Sequence, residues 1–245
     1  MAQLWADKYV RVNKYTRPGT KLGAVKKIVL HWTANPGASA YNHFRYFDGT
    51  AIEQKRSASA HIFVDRAEAY CIVPLNEVAY HANDGSYRGV PALKPNANLC
   101  SLGVEMCVEK DGTIHVDTIA RTAKIVAELC RKYKLDADDI VRHYDITHKS
   151  CPTPWVRKPA DFEAFKKLVG ALLKGGTISS KEEEEKTHMF NPSSNTLKNE
   201  VVTLIEEAHK KGIISSNDWV SKAKSGKLPL DDAVALVAAV YNRSK

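Results

Sequence analysis

The chain has 245 residues, room for one medium domain and a small second one, and its 44% hydrophobic and 26% charged content suits a globular protein with a sizeable core. Its longest apolar stretches, such as Ile28–Leu30 and Ala233–Val240, are far too short for a membrane span. The net charge of +8 is carried by residues 1–174, where 26 basic side chains face 18 acidic ones, but these are scattered without the aromatic interleaving of an RNA-binding surface, so nucleic acid is not an expected partner.

Met1–Val10 carries Asp7 and Lys8 and no continuous apolar segment, so it does not read as a secretory signal. The expectation is synthesis in the cytoplasm, with any action outside the cell needing another route of release. Lys26–Trp32 (KKIVLHW) is a short β-rich run ending in a polar turn, and Ser39–Phe47 follows with aromatics at helical spacing. Ala60–Asp65 and Tyr70–Leu75 read as two strands joined at Arg66–Ala69, and Leu102–Val108 as a further buried strand. Thr118–Tyr133 is an amphipathic helix with Ile119, Ala123, Val126, Ala127 and Cys130 on one face. Ile140–His143 is a short strand, and Asp161–Leu173 a closing helix with Asp161 as its N-cap candidate.

This alternation predicts an α/β class: a central mixed β-sheet flanked by helices, filling residues 1–174. Residues 175–186 (GGTISSKEEEEK) are poor in apolar groups and hold four consecutive glutamates, which predicts a solvated linker. Residues 187–245 carry three helical patterns, Leu197–Lys211 followed by Gly212, Ser216–Lys224 around Trp219, and Asp231–Asn242, and predict a small all-helical domain.

The five cysteines are odd in number in a chain that is not small, so a disulfide scaffold is not expected. Cys71, Cys107 and Cys130 lie in apolar patterns and read as buried thiols, while Cys100 has no distinguishing sign. Cys151 differs, because His143, His148, Lys149 and Pro152 surround it in VRHYDITHKSCPTPW. His143 at a strand end precedes Cys151 by eight positions, and such a loop can turn imidazole and thiolate toward one zinc ion. His31 ends another predicted strand and could join them. Three protein ligands with a fourth position left to water make zinc hydrolytic. Spacing alone leaves a structural role for these histidines equally open.

Five segments in order carry a resemblance. Ile28–Asn35 (IVLHWTAN), Ser59–Asp65 (SAHIFVD), Pro74–Gly85 (PLNEVAYHANDG), Asn98–Glu105 (NLCSLGVE) and His143–Pro152 (HYDITHKSCP) resemble the N-acetylmuramoyl-L-alanine amidase family that contains phage T7 lysozyme, the cytoplasmic amidase AmpD and the animal peptidoglycan recognition proteins. The resemblance implies zinc ligands at His31, His143 and Cys151, with Lys149 stabilising an oxyanion and Glu105 acting as general base or holding the attacking water. It further implies substrate contacts at His61, Tyr80, His81, Asn83 and Asn98. Ala60 stands where many relatives carry tyrosine, a departure shared with the AmpD-like members.

The activity so implied is zinc-dependent cleavage of the peptidoglycan amide between the muramic acid lactyl group and L-alanine, as in a phage endolysin that lyses host walls. The alternatives are a non-catalytic peptidoglycan-binding protein and, for Cys151, a cysteine nucleophile. For residues 187–245 the expectation is cell-wall binding, through a secondary wall polymer, with self-association as the alternative and the oligomeric state left open.

Overall fold

The computed structural model describes residues 4–85 and 87–175, together with 195–240 apart from 215, 217, 230–231, 235 and 238–239. The chain divides into two compact units, Met1–Ile178 and Ser179–Lys245. Most of the spacer expected at 175–186 lies outside the described residues.

The first unit is built on β1 (Ala6–Asp7), β2 (Lys27–Trp32), α1 (Ala40–Asp48), α2 (Thr50–Glu53), β3 (Ile62–Val64), β4 (Ala69–Cys71), β5 (Ser101–Met106), α3 (Val116–Tyr133), β6 (Ile140–Arg142), α4 (His143–Thr147), α5 (Thr153–Arg157) and α6 (Pro159–Leu173). The strands form one mixed sheet in the order β1-β4-β3-β5-β2-β6, in which β3 and β4 are antiparallel and every other pair is parallel. The parallel centre follows from helical crossovers, which return the chain to the same end of the sheet each time.

Alternation along the central strands separates two faces. Ile28 and Leu30, Ile62 and Val64, and Leu102, Val104 and Met106 point into one core with Val126, Leu129, Phe165 and Val169 of α3 and α6. Opposite them, Phe63 joins Ala40, Ala60 and Ile72 under α1, while Val29 packs with Ala82, Leu93 and Ile146. The same period places His31 and Glu105 on this second face, away from α3 and α6.

Two boundaries move for local reasons. The closing helix begins at Pro159 with Lys158 as N-cap, so Asp161 sits in the first turn and is not the cap. Proline suits that start because its φ is already helical and its missing N–H would be unpaired there. His143 is the first residue of α4 and not the end of β6. Cys71, Cys107 and Cys130 are buried and free, as their apolar settings suggest.

The second unit contains α7 (Asn195–Lys210) and α8 (Asp218–Ser225), with helical backbone again at 232–234, 236–237 and 240. Gly212 at φ +70° stops α7, and Ile205, Ala208, Val220, Ala223, Leu228 and Leu236 form the core. The side chain of Leu197 and parts of the third expected helix lie outside the described residues.

Helix α1 opens with a capping box: Ser39 Oγ accepts from the Asn42 amide, while Asn42 Oδ1 accepts from the Ser39 amide. Ser39→Ala is expected to lower stability by about 1 kcal/mol, read as a lower urea midpoint with an unchanged slope.

Candidate active site

Strand β2 lies between β5 and β6, in register His31 with Glu105 and Leu30 with Arg142. His31 thus has Glu105 beside it on one strand, and on the other side the chain continues from Arg142 directly into His143. The His31 and His143 rings meet edge to face at 4.8 Å between centroids. Both histidines are buried.

The loop after α4 brings in the third donor. His148 ends the helix in the left-handed region at φ +62°, and the chain folds back until the Cys151 carbonyl accepts from the Tyr144 amide at 2.9 Å. Arg142 holds this return by pairing with Asp145 at 2.6 Å and donating to the Trp155 carbonyl at 3.0 Å. Cys151 Sγ then stands 3.6 Å from His31 Nδ1. One donor atom each from His31, His143 and Cys151 lies within 4.8 Å of the others.

Two imidazoles and a thiol are the borderline donors that zinc takes. The buried Nδ1 of His143 has no hydrogen-bond partner, which costs free energy unless something binds it. Burial holds the Cys151 thiol up at about 12, with Glu105 adding to the effect. An activated nucleophile needs the opposite shift, whereas a bound cation would draw the thiolate out. The residues therefore fit a zinc ion.

These groups line a cavity of about 660 Å³ with Glu105, Lys149, Tyr80, His81 and, from α1, His43, Tyr46 and Phe47. Glu105 Oε2 is buried without a partner, and burial pushes the carboxyl up to about 8 against the opposing charge of Lys149. Lys149 is more than half exposed and pairs with Asp84 at 3.4 Å. Asp84 Oδ1 also accepts from His143 Nε2 at 2.6 Å. Asp84 lies in the Pro74–Gly85 segment, but nothing in the sequence sets it apart as a partner of His143.

The expected substrate contacts separate into rim and support. Tyr80, His81, Asn83 and Asn98 line a smaller depression of about 280 Å³ that also touches Asp84 and Lys149. Asn98 is buried, and its Oδ1 accepts from the amides of His81 at 3.1 Å and Ala82 at 2.8 Å. Asn83 Oδ1 accepts from Arg88 at 3.0 Å. His61 is fully buried and uses both ring nitrogens: Nδ1 accepts from the Gly103 amide at 3.0 Å and Nε2 donates to the Glu77 carbonyl at 2.9 Å. Both nitrogens of His61 thus meet backbone groups. His148 is an exposed turn residue, stacked on Tyr87 at 3.5 Å.

The loop that carries Asn83 and Asp84 is pressed onto the ligand helix. The Gly89 amide donates to the Ile146 carbonyl at 3.0 Å, and a Cβ at this position would lie 2.2 Å from the Asp145 carbonyl oxygen. Only glycine allows that approach.

The family model for N-acetylmuramoyl-L-alanine amidase matches residues 21–154. N-acetylmuramoyl-L-alanine amidase BlyA of Bacillus subtilis strain 168 is 59% identical over 185 residues, covering 72% of this chain and 49% of the relative. CwlL of Bacillus licheniformis, of the same description, is 56% identical over 172 residues, covering 70% and 48% respectively. The chain thus spans about half the length of the curated relatives it matches. Among solved structures, the catalytic domain of XlyA aligns with a TM-score of 0.55 at 27% identity, over 66% of this chain and 97% of that one. A mutant endolysin from Bacillus subtilis aligns at 0.55 and 29% identity, over the same shares.

Burial lowers His43 and His61 to about 4 each, so both are neutral in the folded protein. An unfolded histidine takes up a proton near pH 6.5, so stability is full above that value and lost as pH falls toward 4. His43→Phe, on a ring stacked against Phe63, is expected to shrink the stability lost between pH 7 and 4.5 by on the order of 2 kcal/mol. Urea unfolding at the two pH values in chelator reads this slope.

Proposed function

The chain belongs to the N-acetylmuramoyl-L-alanine amidase family, and from that premise we propose that it is a zinc-dependent peptidoglycan hydrolase that cuts the amide between the muramic acid lactyl group and L-alanine. The observation that carries this reading is the convergence of His31, His143 and Cys151 in one cavity with Glu105 and Lys149. His31, His143 and Cys151 would hold the ion, which when bound supplies Lewis acidity to the attacking water and the carbonyl.

The remaining work falls to the chain's own side chains. Glu105, with a carboxyl held near neutrality, takes the proton of the water that attacks the lactyl carbonyl. The Lys149 ammonium at the cavity wall offsets negative charge growing on the carbonyl oxygen. Glu105 then returns its proton to the nitrogen of L-alanine, so the amine leaves neutral. Tyr80 and Asn83 at the rim receive the sugar or the stem peptide, and Asn98 holds the backbone of His81 and Ala82 between them.

The wider setting is that of a cell-wall-lysing enzyme of the phage endolysin kind, supported by the likeness to an endolysin structure. The second unit is the wall-binding module in this reading. Residues 187–245 carry eight basic and six acidic side chains, so simple electrostatic adhesion is too weak and a specific wall polymer is the ligand.

Purified Gram-positive cell walls provide the test. Wild type is expected to release peptides with a free N-terminal alanine, and a chelator to stop this until zinc is restored. Cys151→Ser is expected to abolish release, Glu105→Gln to slow it by roughly 10²–10⁴-fold, and Lys149→Ala by roughly 10²–10³-fold. Walls that are bound but never cut, with zinc present, would make this a binding protein.

A further inference from the structure

We propose that Asp84 and His81 are positioning residues that lock His143 and His31 in the Nε2–H tautomer, so that both present a bare Nδ1 to the ion before it arrives. The proposal rests on the metal-centre reading above and assigns roles to two side chains outside the donor set.

On the His143 side the logic is short. A carboxylate can only accept, so the 2.6 Å contact between Asp84 Oδ1 and His143 Nε2 puts the ring proton on Nε2. A second proton, on Nδ1, would find no acceptor, so Nδ1 is left bare. That Nδ1 is the buried atom without a partner. Asp84 is itself held in place by Lys149 at 3.4 Å.

On the His31 side the proton is fixed through a relay. Ser101 Oγ donates to the Ala97 carbonyl at 2.7 Å, so its hydroxyl proton is committed. The same oxygen lies 3.4 Å from His81 Nε2 and accepts from it. With its proton on Nε2, the His81 ring presents Nδ1 as an acceptor, which takes the hydrogen bond from His31 Nε2 at 3.1 Å. His31 Nδ1 is then the free lone pair, and it is the atom that faces Cys151 Sγ at 3.6 Å.

The fold is shaped to hold His81 there. A Cβ on Gly103, the neighbour of Glu105 in β5, would lie 2.7 Å from the His81 ring. Asn98 pins the His81 amide at 3.1 Å. Partners of this kind orient ligand histidines, and losing one weakens metal binding by roughly 10–100-fold.

The test uses the full chain with ¹⁵N-labelled histidine, stripped of metal under reducing conditions at pH 7.5. Long-range ¹H–¹⁵N spectra are expected to show His31 and His143 in the Nε2–H pattern. Asp84→Ala should release His143 into a tautomer mixture and weaken zinc binding by roughly 10–100-fold in competition with a chelating dye. Asp84→Asn keeps an acceptor oxygen and should retain the pattern with a smaller loss. His81→Phe should do to His31 what Asp84→Ala does to His143. Because His81 is buried, the half-exposed Asp84 keeps the test decisive if that variant does not fold. An Nδ1–H pattern in wild type, or wild-type zinc affinity in Asp84→Ala, overturns the proposal. A wild-type chain that binds no zinc overturns the metal-centre reading itself.

Discussion

The parallel pairing of β2 with β5 and β6 is the constraint on which the site depends. Because side chains alternate, a register shift of one residue on β2 would turn His31 into the α3–α6 core and bring Leu30 to the cavity wall. The register is held by apolar packing on the far face, where Ile28, Leu30, Leu102 and Val104 leave no exposed surface. Hydrophobic burial on one side of the sheet thereby sets the positions of polar groups on the other. This is why an apolar run such as Ile28–Leu30 can end in a cavity-lining histidine without loss of precision.

The cost of the arrangement is visible in hydrogen bonding. Among the described residues, five buried side-chain polar atoms lack partners: Thr33 Oγ1, His43 Nε2, Glu105 Oε2, Arg121 Nε and His143 Nδ1. All but Arg121 belong to residues that line the large cavity. Each unsatisfied buried group costs about 1–3 kcal/mol, so the fold carries its polar strain at the place where ligands would relieve it. The apolar cores beneath the sheet offset that cost, and Glu105 shows its consequence most directly. Charging it without a partner is expensive, so burial pushes its carboxyl up to about 8.

Much of this was legible in the sequence, and the limits are physical. The alternating pattern sufficed for the order of strands and helices, because long-range packing agrees with local preference in β2, β5, α3 and α6. Boundaries were harder where a few atoms decide them. Pro159 overrode Asp161 as the start of α6, and β1, only two residues long, has no periodicity to read. The triad could be named from motif order, yet its convergence depends on a register and on a loop return that spacing does not encode.

The histidines show where sequence reasoning stops. His61 and His81 both sit near the sheet end, in motifs of similar kind, and both were expected to meet substrate. What separates them is what each nitrogen meets. His61 closes both on backbone, at the Gly103 amide and the Glu77 carbonyl. His81 instead spends one on Ser101 and turns the other to His31. Residue type is identical, burial is similar and both rings donate from Nε2, so only the partners differ: backbone for His61, Ser101 and His31 for His81. The His81 partners are placed by a committed serine hydroxyl and by a glycine that leaves room for the ring. Neither has a signature by itself, because each acts through a neighbour that only the folded chain supplies.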